Sequence, residues 1–195
     1  MLPLCVIKAA ASSTQPYLTR LSKAFDFKAY QQCQSLIHQC PKQGPFIDET
    51  CATKTAQSHV ICQQSMQLSQ AVGSSIAQLN ITSAAQFQIV EVTFPADGQA
   101  DYYLLTPQGN LINTIIDLSK IDLKLAEQAK TTHFLIMNWD KPRYVQEKDG
   151  TNSFLVQLKI TKECVACELV GKWQVTFNFD RSSKLMNITS VKLPN

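Results

Sequence analysis

Four cysteines in one helical stretch constrain this chain more than any other feature. Cys33 and Cys40 are seven residues apart, and Cys51 and Cys62 eleven. The run Gln15 to Cys40 carries Leu18, Leu21, Phe25, Cys33, Leu36 and Ile37 near helical period and reads as one helix. Pro41 ends it, and Lys42-Gln43-Gly44-Pro45 turns the chain. A second helix begins near Asp48 and Glu49 and carries Val60, Ile61, Met66, Leu68, Val72, Ile76 and Leu79.

In such helices each cysteine pair lies within about 20° of one face, but seven residues rise about 10 Å and eleven about 16 Å. A disulfide needs Cα atoms within about 7 Å, so neither pair closes inside its own helix. Two antiparallel helices joined by the turn place Cys40 near Cys51 and Cys33 near Cys62. Nested disulfides Cys40–Cys51 and Cys33–Cys62 are therefore expected, and the crossed pairing is disfavoured. The unequal spacings leave about 6 Å to absorb, by a Cys51 just outside regular helix or by a tilt between helices. Four buried free thiols, or a zinc site drawing on His38 or His59, are the alternatives. His38 points away from the cysteine face, which weakens the zinc reading, and no metal ligand is assigned. The arrangement resembles the twin-Cys helical hairpins of the coiled-coil-helix family, whose equal spacing this chain does not share. The likeness implies geometry and not function.

From Ala84 onward the hydrophobic period changes from 3.6 to 2. Strands are expected at Gln86–Phe94, Tyr102–Thr106, Leu111–Leu118, Thr132–Trp139, Ser153–Thr161, Glu168–Phe179 and Lys184–Leu193. Pro95-Ala96-Asp97-Gly98, Pro107-Gln108-Gly109-Asn110, Glu147-Lys148-Asp149-Gly150 and Asp180-Arg181-Ser182-Ser183 supply turns. Ser119 reads as the N-cap of a short helix over Lys120–Lys130. The expected fold is α+β: a disulfide-linked antiparallel helical hairpin over residues 15–82, then a mainly antiparallel sheet domain with one short helix over 83–195. The tail, with Phe177-Asn178-Phe179-Asp180 entering a turn and Lys184-Leu185 leaving it, resembles cystatin and NTF2 folds. That likeness implies a curved sheet packed on a helix.

Residues 1–14 form a separate N-terminal piece. The apolar run Leu2–Ile7 followed by Ala9-Ala10-Ala11 matches the end of a secretory signal, although the run is short and lacks a basic lead. An N-terminal strand is the competing reading, and a lipoprotein anchored at Cys5 is weaker because Leu4 precedes it. If Cys5 leaves with a signal, six cysteines remain, an even number suited to an oxidising compartment. No apolar stretch reaches the roughly 18–20 residues that span a bilayer.

Cys164-Val165-Ala166-Cys167 sits between two strand-like runs, not at the start of a helix in a βαβ unit. A local disulfide is the first reading, and a redox-active pair the second. The net charge is only +3, without a Lys/Arg run, so a nucleic-acid partner is not expected. No nucleophile elbow, zinc-protease, P-loop or dinucleotide motif occurs, no cofactor is implied, and no catalytic residue is assigned. Asp97, Asp101, Asp140 and Asp180 fall at strand ends or turns, where Asp serves the backbone. The sequons at Asn80 and Asn187 decide little. Trp139, Tyr144 and Trp173 read as core or hairpin packing, or as an exposed aromatic patch.

The resulting expectation is an exported, disulfide-stabilised, non-catalytic interaction protein, periplasmic or secreted, whose partner is another protein. Its Lys/Gln-rich composition, cysteine helices and C-V-A-C hairpin are similar to exported proteins of Legionella-like bacteria. That similarity implies a secretion-system accessory or a virulence factor. Two alternatives remain open. One is an enzyme with a site in the concave face of the sheet, testable at His133, Asp140 and Tyr102. The other is a thiol–disulfide oxidoreductase using Cys164 and Cys167.

Overall fold

A meander of short antiparallel strands forms the middle of the molecule. In the computed structural model, which describes residues 18–21, 23–93, 99–164 and 166–194, strands β4 (Leu79–Ala84), β5 (Phe87–Thr93), β6 (Ala100–Leu105) and β7 (Asn110–Asn113) pair in sequence order. β1 (Leu18–Arg20) joins beyond β7, giving the order β1-β7-β6-β5-β4. This first sheet takes strands from both sides of residue 83. The signal-like residues 1–14, Cys5 and the Pro95–Gly98 turn lie outside the described residues.

β5 is apolar on both faces, and so the first sheet is covered on both. Phe87 and Ile89 point one way, and Val90 and Val92 the other. The first pair faces a second sheet, β12-β11-β10-β8, built from β8 (Phe134–Asn138), β10 (Asn152–Lys162), β11 (Leu169–Phe179) and β12 (Leu185–Leu193). β9 (Arg143–Gln146) pairs with β10 on the same edge as β8. Along β10 and β11, Phe154, Val156, Leu158, Ile160, Trp173, Val175, Phe177 and Phe179 point inward and are buried. The two sheets therefore share one core, with Phe87 against Phe154 (ring centroids 5.2 Å) and Phe179 (4.9 Å). The sequence reading expected a single curved sheet of the cystatin or NTF2 sort. The strands instead divide into two stacked sheets, and the likeness reaches no further than antiparallel strands beside a short helical element.

That element differs from the expected helix over Lys120–Lys130. Asp117, not Ser119, caps α4 (Leu118–Ile121), accepting from the Ser119 amide at 2.7 Å. Asp122 then interrupts the run and caps α5 (Leu123–Gln128) through the Lys124 amide at 2.8 Å. An Asp side chain competes for local backbone donors, so it starts helices and does not sit within them. Ile121 and Leu125 enter the shared core, and Ser190 on β12 donates to the Ile121 carbonyl at 3.0 Å.

The other face of the first sheet carries the helices. α1 (Phe27–Ile37), α2 (Glu49–Ser58) and α3 (Gln63–Val72) form this layer, with the ribbon β2 (Lys42–Gln43) and β3 (Phe46–Ile47) between the first two. α1 starts later than the periodicity suggested. Asp26 is its N-cap, accepting from the Ala29 amide at 3.0 Å, and residues 18–20 are spent on β1. The expected second helix is broken at His59, which is extended (φ −119°, ψ 115°) and leads into a 3-10 turn over Val60–Cys62.

These departures answer the spacing mismatch. Cys33 bonds Cys62 (Cα–Cα 5.0 Å) and Cys40 bonds Cys51 (5.8 Å), the nested arrangement. Cys51 lies inside α2, so it is not the residue that yields. Cys40 lies beyond the end of α1, and Cys62 lies in the 3-10 turn. Both residues escape the helical rise that made the spacings incompatible. Cys33 and Cys62 are fully buried among Ile37, Ala52, Ala56 and Ile76.

Tyr30 fixes this layer to the sheet. Its ring packs in the second core, with Leu68, Val90 and Val92, and its hydroxyl reaches the outer edge of β4. There it donates to the Leu79 carbonyl (3.3 Å) and accepts from the Ile81 amide (3.1 Å). One phenol thus occupies the place of a neighbouring strand and protects an open edge. Burial pushes its pKa up to about 12, against a smaller opposing effect of the Ile81 amide.

Candidate functional site

The strand pair β8–β9 opposite β10 is interrupted at its middle. Asn138 faces Leu158, the Trp139 amide donates to the Gln157 carbonyl at 2.8 Å, and pairing resumes with Arg143 facing Leu155. Asp140, Lys141 and Pro142 therefore stand opposite Val156 alone. Such a bulge bends a strand and re-aims its side chains, and bulges concentrate at strand edges near functional sites.

On the inner side, the bulge meets the first sheet. Glu91 and Tyr102 are cross-strand partners on β5 and β6. Lys141 approaches Glu91 at 3.8 Å, and Asn80 donates to the same carboxylate at 3.2 Å. The Thr114 hydroxyl lies 2.7 Å from the Tyr102 carbonyl and 2.8 Å from Asn138 Oδ1, tying the two sheets together. Partial burial raises the Tyr102 pKa, and the Glu91 and Asp140 charges raise it further. A tyrosine held neutral beside two carboxylates is a hydrogen-bond donor, not a base.

On the outer side, the bulge sets Trp139 on the solvent face of the second sheet, where it stays 46% exposed. The Lys172 ammonium lies 4.1 Å from its ring centroid, and that of Lys159 5.4 Å. Those two lysines face each other directly across β10 and β11.

Of the three residues named for an enzyme reading, Tyr102 and Asp140 lie near enough for the Asp140 charge to raise the Tyr102 pKa, and His133 lies apart. His133 precedes β8 and Asp140 follows it, which separates them by about 20 Å at strand rise. The His133 carbonyl accepts from the Glu163 amide at 3.0 Å. A cavity of about 430 Å³ opens between Phe46 and Ile47 on the ribbon and Leu79 and Asn80 on β4. A groove of about 800 Å³ runs between the ends of the two sheets past Arg20, Gln108 and Lys184. Neither is lined by His133, Asp140 or Tyr102. Among the described residues no three His, Cys, Asp or Glu side chains gather as metal ligands.

Cys164 and Cys167, the other reactive pair suggested by the sequence, form a disulfide (Cα–Cα 5.0 Å) in the β10–β11 turn, and both residues are exposed. Tyr144 and Trp173 pack into the shared core, leaving Trp139 as the outward aromatic. Asp180 serves its own turn: its carboxylate accepts from the Ser182 hydroxyl (2.7 Å) and amide (2.9 Å) and the Lys184 amide (2.9 Å), and these bonds lower its pKa. Asn80 and Asn187 are exposed.

Sequence reasoning missed the Trp139–Lys159–Lys172 group. The signal that reaches it is the pairing of the two long strands flanking the C-V-A-C turn, which sets Lys159 opposite Lys172. No protein-family model, curated protein or solved structure matches this chain. No helix among the described residues is long and apolar enough to cross a membrane.

Proposed function

We propose that this chain is an exported interaction protein that folds in an oxidising compartment and acts by presenting a rigid surface to another protein, not by turning over a substrate. The observation that carries the reading is the disulfide set: among the described residues three bridges join Cys33 to Cys62, Cys40 to Cys51 and Cys164 to Cys167. Bridges of this kind persist in oxidising compartments and are rare where thiols are kept reduced.

The bridges also bear on the binding role. Phe46, 43% exposed, lies inside the loop closed by Cys40–Cys51, and Val60, 88% exposed, lies two residues from Cys62. Apolar side chains held out on a cross-linked framework lose little freedom on binding, which favours association. We read the stapled α1–α2 pair as the helical hairpin of the sequence reading. The proposal extends to a role in secretion or virulence through the compositional similarity to exported Legionella-like proteins.

Intact-mass measurement on protein isolated without reductant tests the first half. A mass 6 Da below the fully reduced chain is expected for three bridges, and free alkylation of the thiols overturns the exported reading. Photo-crosslinkers at positions 46 and 60 test the second half. They are expected to trap one discrete protein in the exported fraction, whereas a crosslinker at Lys148 traps none. Equal, diffuse crosslinking at all three positions overturns the presentation role.

A further inference from the structure

Each of the two large sheets ends in two edge strands, and an edge presents a row of backbone N–H and C=O groups to any strand that meets it. Three of these edges carry a recognisable guard. β1 is only three residues long. β4 is closed by the Tyr30 hydroxyl. The β8–β9 edge is broken by the bulge at Asp140, Lys141 and Pro142.

The remaining edge is β12. It is nine residues long and, among the described residues, β11 is its only strand partner. Its side chains record the missing neighbour. Gln174, Thr176 and Asn178 point outward from β11 and are partly buried, whereas their cross-strand partners Val191, Thr189 and Asn187 on β12 are exposed. Val191 and Met186 are large apolar side chains at 59% and 50% exposure.

Proteins commonly blunt such an edge with a charge, a proline or a bulge. The bulge in β12 lies only at its start, beside Met186, and Asn187–Leu193 runs on without Pro, Asp or Glu. The single charge, Lys192, is turned to the inner side, its ammonium 5.1 Å from the Trp173 ring centroid. On that same side the Ser190 hydroxyl donates to the Ile121 carbonyl of α4. These contacts fix the strand from within and put no charge along its outer face.

What completes a row of backbone groups is a second extended strand. The side chains select which one. Laid antiparallel on a copy of itself about Thr189, the midpoint of the strand, β12 overlaps along its whole length. Thr189 then faces Thr189, a favourable cross-strand pair. Lys192 faces Met186, Val191 faces Asn187, and no like charges meet. Moving the centre one residue to Ile188 shortens the overlap and sets Lys192 against Lys184, which is unfavourable.

We propose that β12 pairs antiparallel with β12 of a second copy of this chain about a two-fold axis at Thr189, joining the two second sheets into one. Such a pairing is isologous and closes as a dimer. Phe46 and Val60 lie in the helical layer, on the far side of the first sheet from β12, so the dimer carries that surface twice. The pairing does not depend on what that surface binds.

The test follows the full oxidised chain by sedimentation velocity from about 1 to about 100 µM, where mass action separates monomer from dimer. The mass is expected to rise with concentration toward twice 21.8 kDa. Thr189→Lys sets like charges face to face at the axis and is expected to weaken the dimer at least about tenfold. Because Thr189 is exposed, the thermal midpoint of the dilute variant is expected to stay unchanged. Thr189→Cys in a Cys5→Ser background is expected to oxidise to a linked dimer, since directly opposed Cα atoms lie about 4.5–5.5 Å apart. Asn187→Cys alone is expected to stay unlinked but to link when mixed with Val191→Cys. A chain that remains monomeric over the whole range overturns the proposal. So does a dimer that Thr189→Lys leaves intact, a Thr189→Cys protein that does not link, or a series of oligomers beyond two. Should the lysine variant unfold, the cysteine linkage decides by itself.

Discussion

Replacing Tyr30 by Phe removes one oxygen and leaves the ring in place. The residue is 6% exposed, and its hydroxyl serves two backbone groups on the edge of β4, the Leu79 carbonyl and the Ile81 amide. Leu79 and Ile81 are themselves buried, so the groups lose their partner without gaining ready access to water. A buried backbone group left unpaired costs about 1–3 kcal/mol. The two bonds are long, at 3.3 and 3.1 Å, which places their sum near the lower end, about 2 kcal/mol. For a chain of this size that is a fall in thermal midpoint of about 4–8 °C. Urea unfolding of the two proteins at pH 7 measures it directly. A loss below about 0.5 kcal/mol refutes the reasoning, because it shows water taking the place of the phenol on that edge.

The same substitution has a signature in pH. The folded state holds the Tyr30 phenol neutral up to about 12, whereas the unfolded chain ionises near its ordinary value of 10. Between those values the unfolded state sheds a proton that the folded state keeps. Stability present below pH 10 is therefore lost as pH rises toward 12, at up to about 1.4 kcal/mol per pH unit. Tyr102 and Tyr103 are raised in the same direction by burial and neighbouring carboxylates, so the wild type carries all three contributions. The Tyr30→Phe protein is expected to lose less over this window. Parallel curves for the two proteins would place the titration elsewhere.

Three further outcomes are expected. Cys33→Ala with Cys62→Ala opens a bridge of sequence separation 29 and is expected to cost about 3 kcal/mol in urea unfolding, allowing for the inner bridge that already shortens the loop. Brief treatment with dilute reductant and then alkylation is expected to label Cys164 and Cys167 first, because both are exposed while Cys33 and Cys62 are fully buried; peptide mapping that finds Cys33 or Cys62 labelled first contradicts this. Gly109→Ala is expected to lose about 2 kcal/mol or more by thermal melting, because Gly109 sits at φ +82° and an added Cβ falls 2.7 Å from the Lys23 carbonyl oxygen.

The legibility of this chain varied with the kind of pattern involved. The long alternating runs around Phe154–Ile160 and Trp173–Phe179 read directly as strands, since each buries one face and wets the other. β1 did not, because three residues carry too little pattern, and Leu21 and Phe25 fit a helical period equally well. The break at His59 carries no Gly or Pro and lies within a helical rhythm, so only the pairing of Cys62 with Cys33 makes sense of it. Within the candidate site, Asp140 and Tyr102 were named from the sequence, but Glu91, Thr114 and Lys141 come beside them only through the packing of two sheets.

Local periodicity and residue spacing were enough to determine part of this protein from its linear sequence. They set which segments alternate, where proline and glycine turn the chain, and that nested cysteine pairs suit two facing helices better than crossed ones. Tertiary structure alone decided that the strands form two sheets sharing a core, that a tyrosine from α1 closes an open edge, and that Trp139 stands over two lysines. Those outcomes depend on contacts between residues tens of positions apart, where burial and register, not neighbouring residues, choose between alternatives of similar local energy.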